Sequence, residues 1–213
     1  DRVLAEVPKH NAAHLLAARL AWQQKDFGVA LKHLDAVGTL AWSTEQLVFI
    51  RADSLRRLGR PLEAEPVYTE LLKRDPMRSD VWHTVAEIQI ASQRPTVALA
   101  TLEAGLKKLP REVDLQERYL ELLGENGQLE KMEFAAKRFS KGKPNLYRCL
   151  QLAEIHASAG DMAAAERWLK QARSIAPGSV SDQLMFLEAV ILHDKGRRTG
   201  RRSWFVQARD KYT

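Results

Sequence analysis

His83 and Glu87 stand four residues apart, a spacing that places an imidazole and a carboxylate on one face of a helix, as an acid–base pair requires. No candidate nucleophile or oxyanion site accompanies them, so the pair reads as a ligand-contacting or solvated couple and no catalysis is expected. His10 and His14 repeat the spacing without forming H-E-x-x-H or finding a third ligand, and no metal is expected there. The run Gly196 to Arg202 lacks the G-x4-G-K-[ST] spacing of a phosphate loop, and no G-x-S-x-G elbow occurs. The single cysteine, Cys149, excludes an internal disulfide and a multi-cysteine metal site, and it falls on an apolar position that suits a buried thiol. Nothing in this inventory calls for a cofactor. The one chemical pattern left is charge. Glu117, Glu121 and Glu125 follow one another at i,i+4, an arrangement that costs a helix a few tenths of a kcal/mol per like-charged pair. Asp80 and Asp114 differ from them, because they fall at helix starts where a carboxylate meets free N–H groups.

Helices are the elements that must position these groups. Of 213 residues 45% are apolar and 28% charged, a globular composition, and no run approaches the roughly 18 apolar residues of a membrane span. The formal net charge is +6. The chain opens at Asp1 with no initiating Met and no apolar leader, so it reads as a piece of a longer protein whose targeting signal could lie outside it; the compartment is unconstrained.

The stretch Ser79 to Glu112 sets the register. Trp82, Val85, Ala86 and Gln89, then Ala98, Leu102 and Pro110, match the pattern W-x2-L-G-x2-Y…A-x3-F…P, and sliding the template by 34 residues finds the same small residues and prolines again. On these residues the chain resembles the tetratricopeptide-repeat family. The resemblance implies an all-α, right-handed superhelical solenoid of antiparallel helix pairs. The array divides into a tail of a preceding repeat at 1–10, repeats at 11–44, 45–78, 79–112, 113–145 and 146–179, and a divergent or incomplete sixth at 180–213. Repeat four places Leu120 and Met132 where small residues are usual, with Ala136 and Phe139 exchanged in size, and is expected to be repacked. In the sixth, 195–202 looks like an overlong turn and is expected to form a basic surface loop.

In this family a concave face, lined by the first helix of each repeat, holds the partner. Carried onto this sequence, it offers Arg19, Trp22, Gln23, Phe49, Asp53, Arg56, His83, Glu87, Glu117, Glu121, Glu125, Tyr147 and Glu154. Its acids collect in repeats three to five, while Lys107, Lys108, Lys131, Lys137, Arg138, Lys170 and Arg173 fall on second helices. The expected function is a non-enzymatic scaffold that binds a protein or peptide with a Lys/Arg-rich segment, with Trp22, Phe49 and Tyr147 either anchoring it or packing internally. Two other readings stand beside it. One is a substrate-presenting arm of a larger enzyme such as a glycosyltransferase; the other is an anionic-surface or nucleic-acid binder using the basic back, against which the absence of interleaved aromatics in 195–202 argues. The chaperone carboxylate clamp of the family is absent, since Leu15, Arg19, Ile50, Asp80 and Thr84 occupy its positions. Phe205, Val206 and Tyr212, apolar on a last helix without a polar cap, point to self-association.

Overall fold

The computed structural model describes residues 10–142, 145–176 and 182–210; the expected leading tail and Tyr212 lie outside them. Twelve α-helices and no strand occur among the described residues. They are α1 (Asn11–Gln23), α2 (Phe27–Ala36), α3 (Glu45–Arg57), α4 (Pro61–Arg74), α5 (Ser79–Ala91), α6 (Pro95–Lys108), α7 (Val113–Glu125), α8 (Leu129–Phe139), α9 (Leu146–Ser158), α10 (Met162–Ile175), α11 (Asp182–Thr199) and α12 (Arg202–Asp210), with a 3-10 turn at Gly38–Trp42. Local chemistry sets many of the boundaries. The side chains of Asp26, Thr44, Asn145 and Asp161 each accept a hydrogen bond from the backbone N–H three residues on, satisfying a donor that the helix start leaves open. Pro61 and Pro95 open α4 and α6 at the position where a missing N–H is no loss.

The chain forms two compact units, Asp1–Leu115 and Gln116–Thr213. In the first, α1 packs on α2, α3 on α4 and α5 on α6, while α2 meets α3, α4 meets α5 and α1 meets α3. In the second, α9 packs on α10 and α11 on α12, with α9 and α10 both against α11. Small residues make this possible. Ala18, Ala30, Ala52, Ala64, Ala86 and Ala98 in the first unit, and Ala136, Ala153 and Ala165 in the second, are fully buried, so backbones approach closely at those points. Larger side chains such as Leu34, Leu47, Tyr68, Leu71 and Leu102 fill the space between, each stabilising the fold by about 1.5–3 kcal/mol through burial.

Around α7 and α8 the packing follows another rule. Leu120 and Met132 are fully buried, and Phe139 lies edge-on to Tyr119 at 6.4 Å. The close approach moves one turn along α7 to Gly124, where an added Cβ would stand 2.1 Å from Ile155 Cγ2 and 3.6 Å from Met132 Sδ. Ile155 on α9 therefore seats on a glycine.

The expected surface loop at 195–202 is not there. Helix α11 runs unbroken through Lys195 to Thr199, and only the tight link at Gly200–Arg201 separates it from α12. Three features carry the helix on: Arg198 pairs with Asp194 one turn earlier, Thr199 Oγ1 donates to the Lys195 carbonyl, and Gly196 lies flat against the Phe205 ring, where a Cβ would fall 2.9 Å from ring carbons. Gly200 then ends the helix with φ +68°, a conformation that costs glycine least. On α12, Phe205 and Val206 are 37% and 39% exposed. No helix among the described residues is long and apolar enough to cross a membrane.

Candidate functional site

In the second unit, α7 and α9 lie side by side because Gly124 admits Ile155, and the outer turns of both helices enclose a cleft of about 390 Å³. Its lining combines exposed Glu121, Glu125 and Glu154 with buried Gly124 and Gln151, half-buried Ile155, and exposed Ser158 and Ala159. One guanidinium answers two of these carboxylates: Arg118 Nη1 lies 3.4 Å from Glu121 and 3.2 Å from Glu125. Glu154 accepts a hydrogen bond from the Gln183 amide at 3.0 Å. Both Glu121 and Glu125 remain about half exposed, so the cleft presents carboxylate oxygens to solvent.

Beside the cleft, Tyr147 is half exposed, and its hydroxyl holds its proton above the ordinary phenol range, first through burial and then through its hydrogen bond to the Glu117 carboxylate. Behind the cleft lies a group that the repeat pattern hides. Arg148 is buried, donating to Gln151 and, at 3.1 Å, to Gln116 Oε1, and burial lowers its pKa against the opposing pull of Glu117 and Tyr147. A buried cation held by neutral amides needs nearby negative charge, and the acids of α7 supply some of it. The sequence does carry a sign of this. Arg148 is the third residue of α9, where α1, α3, α5 and α7 carry Ala13, Leu47, Val81 and Leu115.

The expected residues of the first unit are arranged differently. Asp53 is only 6% exposed and is turned inward, accepting from Trp22 Nε1 at 2.9 Å and from Arg56 Nη2 at 2.7 Å, with Arg57 Nε at 3.5 Å. Arg56 also donates to the Tyr68 hydroxyl, at 3.3 Å. Trp22, Phe49 and Tyr68 form an edge-to-face ladder at 5.9 and 6.4 Å, and Arg78, itself paired with Asp80, lies 4.8 Å over the Phe49 ring. Here the aromatics pack on one another. Gln23 is exposed, and Arg19 is half-buried beside them on α1. His83 lines a separate depression of about 410 Å³ with Asp80, Thr84 and Asp114; Glu87 is not among its walls. Glu117, Glu121, Glu125, Tyr147 and Glu154 thus belong to one neighbourhood of the second unit, and Trp22, Phe49, Asp53 and Arg56 to one partly buried network of the first.

Among the described residues no group of three or more His, Cys, Asp or Glu gathers as metal ligands would. Buried Cys149 has its thiol pKa raised by burial, which disfavours a reactive thiolate.

No curated protein sequence matches this chain. Solved structures do resemble it. The C-terminal part of a TPR repeat-containing protein from Cytophaga hutchinsonii is 14% identical with a TM-score of 0.73, over 99% of this chain and 85% of that one. YrrB, described as a TPR protein with an unusual peptide-binding site, is 15% identical with a TM-score of 0.59, over 91% and 96%. A MamA fragment from Desulfovibrio magneticus RS-1 is 16% identical with a TM-score of 0.56, over 80% and 97%. The model of the tetratricopeptide repeat matches residues 1–41 and 51–112. With its paired helices closing on buried alanines in the same phase, the chain has the tetratricopeptide-repeat fold, and its first 112 residues carry the match to that family.

Proposed function

We propose that this protein is a non-enzymatic scaffold, and that the cleft between α7 and α9 receives a Lys- or Arg-bearing segment of a partner protein. The observation that carries this reading is the meeting of Glu121, Glu125 and Glu154 around one cleft of about 390 Å³ with Arg118 as the guanidinium between two of them. A lysine or arginine fits such a place twice over, its methylene stem on Ile155 and Ala159 and its charge at the carboxylate rim. Tyr147, exposed beside the rim, gives a partner's apolar residue an aromatic edge to lie against. YrrB's description as peptide-binding agrees with a peptide ligand on this fold.

Charge complementarity acts mainly on encounter, so the test is kinetic. A synthetic Lys/Arg-rich peptide with interspersed leucines should associate faster as salt is lowered from about 0.1 M to 0.01 M, where the screening length grows from about 10 to 30 Å. Glu121→Lys/Glu125→Lys should slow association by about tenfold or more at low salt with little change in the dissociation rate. An unchanged association rate in that variant would reduce the glutamates to a solvated face and end this reading.

A further inference from the structure

The second unit carries another groove, of about 400 Å³, formed where α10, α11 and α12 meet. It exists because α11 continues through Lys195 and because Phe205 rests on Gly196, which together set α12 against α11. Its floor is aliphatic: Leu169, Ile191 and Leu192. Its rim is ionic, and the two acids there are already answered, Glu166 by Lys195 Nζ at 2.6 Å and Glu188 by Arg173. Exposed Lys170 adds a cation to the same rim and makes no ion pair among the described residues. Immediately beyond, the end of α11 and the start of α12 present Arg197, Arg198, Arg201 and Arg202 against the single acid Asp194. The result is an apolar groove in a basic surround, opposite in sign to the α7–α9 cleft.

We propose that this groove docks an acidic amphipathic segment of a partner protein, with apolar side chains on Leu169, Ile191 and Leu192 and carboxylates at Lys170 and the arginines of the α11–α12 link. A helix-in-groove contact needs an aliphatic floor for residues at i, i+3 and i+4 together with charge matching along the edges, and both are present. Nucleic acid fits less well. Its phosphates would meet Glu166 and Glu188, and the Trp204 ring is overlain by the Lys195 ammonium at 5.4 Å rather than open for a base to stack on. The inference stands independently of the α7–α9 cleft.

The test uses the whole chain with labelled methyl groups and a synthetic peptide of about 15 residues, long enough to form a helix, with leucines at i, i+3 and i+4 and glutamates on the flanks. Shifts confined to the methyls of Leu169, Ile191 and Leu192 and the side-chain amide of Gln207, with a Kd below about 1 mM, are expected. Two variants at exposed positions leave the fold intact: Lys170→Glu should weaken binding about fivefold or more, and Gln207→Trp, which fills the groove from α12, should abolish it. Equal binding of the same peptide with lysines in place of glutamates, shifts mapping to another surface, or displacement of the peptide by anionic phospholipid vesicles or single-stranded DNA at equal charge would each overturn the proposal.

Discussion

Glu65 in the first unit and Glu133 in the second are the fifth residues of α4 and α8, and each joins one helix pair to the next through partners at matching helix positions. What surrounds them differs. Glu65 accepts from the Gln89 amide at 2.9 Å and from both terminal nitrogens of Arg94, at 3.3 and 2.5 Å, while Thr101 donates to the other end of Gln89 at 2.8 Å. Burial pushes the Glu65 carboxyl upward, but the hydrogen bonds from Arg94 and Gln89 outweigh it and hold the group below the usual carboxylate range. At the positions of Gln89, Arg94 and Thr101 the second unit has His156, Asp161 and Trp168. Glu133 accepts from Trp168 Nε1 at 3.2 Å, whereas buried His156 stands 3.1 Å from Glu133 and 3.4 Å from Asp161 without either contact meeting the angles of a hydrogen bond. Asp161 is in addition the cap of α10. Equivalent positions thus form an aligned, charge-assisted lock in one unit and a looser contact in the other, so repeat geometry alone does not set the strength of a seam.

Overpacking should affect both seams most. Ala86→Trp in the first unit and Gly124→Leu in the second each force a large side chain into a close approach, and each is expected to destabilise its own unit by about 3 kcal/mol or more. Thermal unfolding followed by the indole resonances of Trp82 and Trp168 separates the two. Next comes Glu65→Ala, at about 1–3 kcal/mol, because it strands the buried Gln89 amide. Glu133→Ala is expected to cost about 1 kcal/mol, less than its counterpart, and a larger loss there would reverse the comparison.

Acid provides a second way to distinguish the locks. A carboxyl depressed in the folded state contributes stability above its unfolded value of 4.5, and that contribution is lost as pH falls below it. Melting of the first unit should therefore steepen its fall below pH 4.5, and Glu65→Gln should flatten that slope. The smallest effect sharpens the comparison: His156→Gln gives the second unit the amide found in the first, and a gain of about 0.5–1 kcal/mol is expected from one aligned hydrogen bond. A loss would mean the imidazole's packing outweighs its poor alignment.

The all-helical fold was legible because small residues at fixed spacing report directly on how closely backbones must approach; Ala18, Ala52 and Ala86 say this in one helix after another. The surface was legible only in part. Periodicity places Glu121, Glu125 and Glu154 on outward faces, and the structure puts them around one cleft. The same periodicity placed Asp53 and Trp22 outward as well, yet Trp22 N–H and Arg56 draw Asp53 inside, since a short carboxylate with two donors in reach gains more by pairing than by hydration. Arg148 was missed for the opposite reason, a long polar side chain at an apolar position, bent back onto Gln116 and Gln151. The loop expected at 195–202 failed because residues beyond the repeat's usual length read as an overlong turn, whereas they lengthen α11: Gly196 serves ring packing, and the break comes four residues later at Gly200.

Helix α11 also alters the spacing of what it supports. The first helices of the preceding pairs, α1, α3, α5, α7 and α9, are 13 residues long, whereas α11 has 18. The difference of 18 − 13 = 5 residues amounts to about 7.5 Å along the axis. In a stack whose cooperativity comes from each pair meeting the next in the same phase, such a step is a dislocation. Unfolding that begins at α12 therefore meets, at α11, a step in helix length that none of the preceding first helices presents.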